Sequence, residues 1–115
     1  MTGVQTCALP IWTAAYAQSP EDFYRGKTVN VLIGYSAGGG YDIYGRVLAR
    51  HIARHIPGAP TVIAQNMPGA GSLKAVEYLA NVAPKDGTYI ATFGRTMPVS
   101  PLIGGGGRFD PLKLE

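Results

Sequence analysis

The stretch Ile33-Gly34-Tyr35-Ser36-Ala37-Gly38-Gly39-Gly40-Tyr41-Asp42 runs from an apolar segment through a glycine-rich turn into a helical pattern. Glycine lets a backbone approach a ligand closely and accept positive φ. The first N–H groups of the helix that follows have no intrahelical partner and favour an anion. Asn66-Met67-Pro68-Gly69-Ala70-Gly71-Ser72 repeats the arrangement, and Gly94, Arg95 and Thr96 follow a third apolar segment. Together these loops suit the noncovalent capture of a small anion. Arg95 either pairs with a substrate carboxylate or is an ordinary exposed loop arginine.

Other chemistries lack their residues. No Gly-Lys-Ser/Thr follows the first loop, so it is not a P-loop. Gly38, Gly39 and Gly40 are adjacent rather than spaced as G-x-G-x-x-G, and Lys74 stands where a third glycine would follow Gly69 and Gly71. A nucleotide site is therefore disfavoured, while a tight turn without a ligand stays open as a competitor. His51 and His55 are four apart, but Ile52 takes the place of the glutamate in HExxH, and both read as semi-buried packing residues among Val47 and Leu48. Ser36 and Ser72 lack the nucleophile elbow, and Asp42 is the one acid near the loops, so no acid–base pair is visible. No catalytic residue, metal site or cofactor is expected.

The elements that position these loops are legible. Thr28 to Ile33 reads as a buried strand, and a helix from about Asp42 to Ile56 is stopped by Pro57-Gly58. Asp42 suits its cap or first turn. Val47, Leu48, Ile52 and Ile56 share its expected buried face, with Arg46, Arg50 and Arg54 in water. Thr61 to Gln65 is the second strand. Ser72 is expected to cap a helix from Leu73 to Asn81, with Leu73, Val76 and Ala80 buried and Lys74, Glu77 and Asn81 facing water. Thr88 to Phe93 is the third strand after the Pro84–Gly87 turn. Met97 to Ile103 reads as irregular or a short helix, and Gly104 to Gly107 as a flexible loop. The order β-α-β-α-β predicts an α/β fold with a parallel sheet and right-handed crossovers. Ligands of such sheets bind beyond the carboxyl ends of the strands, where all three loops lie.

The 115 residues suffice for one modest domain, and 46% hydrophobic content with a net charge of +3 fits neither disorder nor a nucleic-acid footprint. No stretch is apolar enough to span a membrane. Cys7, the single cysteine, excludes an internal disulfide. Residues 1–12 resemble the translation of a sequencing-library adapter and are set aside from fold reasoning. Ala15-Tyr16-Ala17 before Gln18 matches the cleavage site of an export signal, so residues 13–17 read as its remnant and the mature chain as starting near Gln18. Phe109 to Glu115 reads as a cut end, making residues 18–115 the truncated beginning of a lobe. Exposed apolar surface is expected of it, because a parallel sheet needs cover on both faces.

Three ordered motifs also carry a family resemblance. Gly34-Tyr35-Ser36-Ala37-Gly38-Gly39-Gly40-Tyr41-Asp42, with Arg46 and Leu48, resembles the G-[FY]-x-x-G-G-G-x-D-x-x-x-R-x-L pattern of the tripartite tricarboxylate transporter receptors, the Bug-type periplasmic binding proteins. Val62 through Ser72 is similar to that family's V-x-x-x-N-x-P-G-A-G, and Ala83-Pro84-Lys85-Asp86-Gly87-Thr88 to its A-P-x-D-G-x. Lys74, Tyr41 and Tyr44 depart from the usual pattern. The resemblance implies part of the first lobe of a two-lobed, type II-like receptor. Such a receptor holds a small organic carboxylate, tricarboxylate or dicarboxylate, and delivers it to membrane permease subunits. It implies a periplasmic location, no nucleic-acid partner and no membrane insertion of the receptor itself. Tyr35, Ser36, Ala37, Gly39, Gly40 and Asp42 would then form the first pincer loop. Asn66, Gly69, Ala70, Gly71 and Ser72 would form the second, and Gly94, Arg95 and Thr96 the third. Two alternatives use the same loops: a carboxylate sensor for a signalling partner, and a small α/β enzyme acting on a phosphate or acyl substrate.

Overall fold

A computed structural model describes Gly3, residues 18–104 and residues 107–113. The expected adapter segment (Gly3 apart), the signal remnant, Cys7, Gly105, Gly106 and the last two residues lie outside them. The core strand β1 (Thr28–Ile33) forms where six mostly β-branched or apolar residues run together. It lies between β2 (Thr61–Asn66) and β3 (Tyr89–Thr92), parallel to both, in the order β2-β1-β3. The α/β fold with a parallel β-α-β-α-β sheet is therefore the observed one. Val29, Val31, Leu32 and Ile33 are buried, as a central strand covered on both faces requires.

Ahead of the sheet, α1 (Pro20–Tyr24) is an element the motif-based reading does not anticipate. Its signal is nevertheless local: Ser19 caps Asp22 N–H, proline opens the first turn, and Glu21 and Asp22 complement the dipole. Tyr24 Oη donates to Gly87 O at 3.2 Å, which holds α1 at the end of the sheet remote from the glycine loops. Helix α2 (Gly40–Ile52) continues as a 3-10 turn over Ala53–His55, close to the expected end. Helix α3 (Leu73–Asn81) has the expected bounds. Met97–Ile103 and Pro111–Lys113 are 3-10 segments. β1→β2 and β2→β3 step in opposite lateral directions, so right-handed crossovers place α2 and α3 on opposite faces.

The buried side of α2 differs from the expected one. Asp42, Gly45 and Ala49 face the sheet, while Val47 and Leu48 are exposed. The cause is close approach: a Cβ on Gly45 would lie 2.8 Å from Ile33 Cδ1, so the sheet takes the helix's small residues rather than its large ones. His51 and His55 are exposed, not semi-buried, and His51 Nδ1 meets Arg54 Nη2. On α3, Ala75 and Val76 are the buried pair, whereas Leu73 and Ala80 are only half-buried. Glu77 is half-buried too, and its carboxylate accepts the Arg108 N–H at 2.7 Å. Ile43, Tyr44, Val47, Leu48 and Ile63 leave apolar surface exposed on α2 and the edge strand β2.

Candidate functional site

The strand register aligns the three loops. Ile33 stands opposite both Asn66 and Thr92, so the chain leaves β1, β2 and β3 at one level. Gly34 N–H donates to Thr92 O at 2.9 Å and Met67 N–H to Ile33 O at 2.7 Å, extending both ladders to the loop bases. In the order 2-1-3 the crevice between the outgoing connections opens beyond β1 and β3.

Gly39 is the N-cap of α2 and Gly40, Tyr41 and Asp42 form its first turn. Asp42 is buried, with 4% of its surface exposed, and each oxygen is occupied. Oδ2 accepts the Gly38 N–H at 2.9 Å, and Oδ1 accepts Arg46 Nε at 2.9 Å and Asn66 Nδ2 at 2.7 Å. Asn66 also donates to Tyr35 O at 2.9 Å and accepts Arg46 Nη2 at 2.7 Å. The Gly38 amide, the Asn66 amide and the Arg46 guanidinium together hold the Asp42 carboxyl down to about 2, against an ordinary value of 3.8. Arg46 stays exposed, as expected, but its guanidinium reaches back one helical turn to Asp42 and across to Asn66.

A second junction ties the other loops. Ser72 occupies the cap position of α3 but makes no capping bond; its Oγ instead accepts the buried Gly94 N–H at 2.8 Å. The expected capping role is wrong because Ser72 sits at φ +81°, within a left-handed run that includes Ala70 at φ +47° and Gly71 at φ +62°. Non-glycine residues there carry strain, which concentrates at functional sites. Gly34 and Gly94 permit the close approach. A Cβ on Gly34 would lie 2.4 Å from Ser72 Cβ, and one on Gly94 would lie 2.6 Å from the Tyr35 hydroxyl. Ser72→Ala keeps the strain and strands the Gly94 N–H, at a cost of about 1–3 kcal/mol. Ser72→Gly loses the same bond but relieves roughly 1 kcal/mol of strain. Urea denaturation should therefore rank alanine below glycine; equal stabilities would contradict the strained geometry.

The sequence-derived site residues divide accordingly. Asp42, Asn66 and the Tyr35 carbonyl meet directly, as do Ser72 and Gly94. Ser36, Ala37, Gly39, Gly40, Gly69, Ala70, Gly71, Arg95 and Thr96 are exposed at the loop surface. The N–H groups of Gly39, Gly40, Tyr41, Ala70 and Gly71 make no hydrogen bond to the described residues. The Tyr35 ring stacks on Tyr41 with centroids 4.4 Å apart and 13° between planes, beside an open depression of about 330 Å³ lined by Gly40, Tyr41 and Tyr44. A more enclosed depression of about 150 Å³, among Leu79, Pro84, Gly87 and Tyr89, lies at the opposite end of β3. Two residues missing from the sequence-derived site, Gly34 and Arg46, prove to be structural keys. The i,i+4 spacing of Asp42 and Arg46 was the available signal for the second.

No family model matches the chain. Over 94 residues, 82% of its length, it is 39% identical to a protein of Cupriavidus necator described as a UPF0065 protein in the gbd 5' region. The chain is a homologue of that protein. It spans 27% of the relative's length.

Proposed function

We propose that the chain carries the first part of a Bug-type solute-binding receptor of a tripartite tricarboxylate transporter. UPF0065 is the family name that Bug proteins carry, and the homology agrees with the three ordered motifs. The observation that carries the reading is the state of the α2 N-terminus. The charge of Asp42 is neutralised by Arg46, while the N–H groups of Gly39, Gly40 and Tyr41 keep no partner among the described residues. A helix start in that state attracts a carboxylate without a buried cation. The receptor holds a small organic carboxylate between two lobes, closes about a hinge without covalent chemistry, and passes its cargo to permease subunits from the periplasm.

Calorimetric titration of the full-length gene product with citrate and succinate tests this. Gly40→Val is the informative variant, since nothing lies within 4 Å of a Cβ at that position and the fold should be indifferent to it. Its isopropyl group stands on the first residue of α2 and hinders the anion's approach. Loss of one charge-assisted hydrogen bond corresponds to a Kd raised about tenfold. Unchanged affinity in this variant would place the carboxylate elsewhere.

A further inference from the structure

We infer that Arg46 is a positioning residue: through Asp42 and Asn66 it locks the first and second glycine loops into one rigid unit. This rests on the carboxylate-receptor reading for its functional consequence only.

The hydrogen bonds that Arg46 makes run between the two loops. Arg46 spends Nε on Asp42, at 2.9 Å to Oδ1 and 3.1 Å to Oδ2, and Nη2 on Asn66 Oδ1 at 2.7 Å. Asn66 is thereby oriented, because accepting from Arg46 with its oxygen leaves its nitrogen to reach Asp42 and the Tyr35 carbonyl. Asp42 in turn holds the Gly38 N–H. One guanidinium thus links β2's last residue to both ends of the first loop. Asp42 and Asn66, read from the sequence as ligand contacts, act inside the same lock, their polar atoms already engaged. Preorganised amides of this kind gain affinity by avoiding the ordering of loops on binding. The planar, forked shape of arginine is essential, since a lysine ammonium is a point charge that cannot repeat both bonds in this geometry.

The test compares Arg46→Lys, Arg46→Ala and Asn66→Ala in the full-length gene product, reading amide hydrogen exchange at Gly38 and the Kd for citrate. Arg46→Lys is expected to behave like Arg46→Ala, with Gly38 exchange faster and Kd higher by about tenfold each. Asn66→Ala leaves the Asp42–Arg46 pair in place and should raise Kd similarly while Gly38 stays protected. If Arg46→Lys instead keeps wild-type exchange and affinity, charge alone matters and the lock is refuted. Should the wild type bind no carboxylate, the receptor reading fails by itself. The Gly38 exchange rates then decide the lock, as they do if one arginine variant is too unstable to titrate.

Discussion

Gly34→Ala is expected to destabilise the protein by about 3 kcal/mol, the upper part of the range for overpacking, and to abolish carboxylate binding. The added methyl would stand 2.4 Å from Ser72 Cβ, 3.2 Å from Ser72 Cα and 3.2 Å from Thr92 O. Two of those three neighbours are backbone, so no side-chain rotation relieves the contact. Relief requires moving the second loop away from β1, and Ser72 cannot move without releasing the buried Gly94 N–H. One methyl group therefore disturbs all three loops. Urea denaturation of the full-length gene product should show a lower midpoint at unchanged slope. Gly40→Ala is the control, with open space for its Cβ and an expected change within about 0.5 kcal/mol. A Gly34→Ala protein as stable as the wild type would mean that the loops are not packed this closely.

Asp42→Asn should be the most pH-revealing substitution. The folded-state carboxyl lies at about 2 and its ordinary value is 3.8. A depressed value means that the unfolded chain binds the proton more readily. The ionised carboxylate therefore contributes stability that is fully present above pH 3.8 and disappears as pH falls through about 2. The asparagine variant lacks that contribution at every pH. Wild type should be clearly more stable at neutral pH, with the two stability curves converging as acid is added across that window. Asp86 is also held low, first by the Thr88 hydroxyl, but it is shared by both proteins and cancels in the difference. Curves that stay parallel between pH 5 and pH 2, about the span of such a titration, would sink the assignment. At neutral pH the Kd for citrate should rise about tenfold as Gly38 and Asn66 lose their charged acceptor.

These expectations show where reading by residue type succeeds. β1 and α3 have their expected bounds because short-range signals decide them: a β-branched apolar run for one, helix formers between glycine and proline punctuation for the other. The α/β class and the placing of three loops at the carboxyl ends of the strands follow from the order of elements and their short connections. Ser72 departs from its expected role for a physical reason. Its type and place suit an N-cap, but the left-handed backbone carries its hydroxyl to Gly94, twenty-two residues away.

By itself, then, the sequence determined most of the elements, the parallel sheet and the glycine-rich loops at the strand ends, since propensity, periodicity and turn chemistry act over a few neighbouring residues. Only the tertiary structure decided which face of α2 is buried, where Arg46 points and why Gly34 must be glycine. Each of those depends on the distance between segments far apart in the chain. Gly45 against Ile33, Arg46 against Asn66 and Gly34 against Ser72 are contacts that no local pattern encodes, because close packing selects small residues where amphipathicity points to large ones.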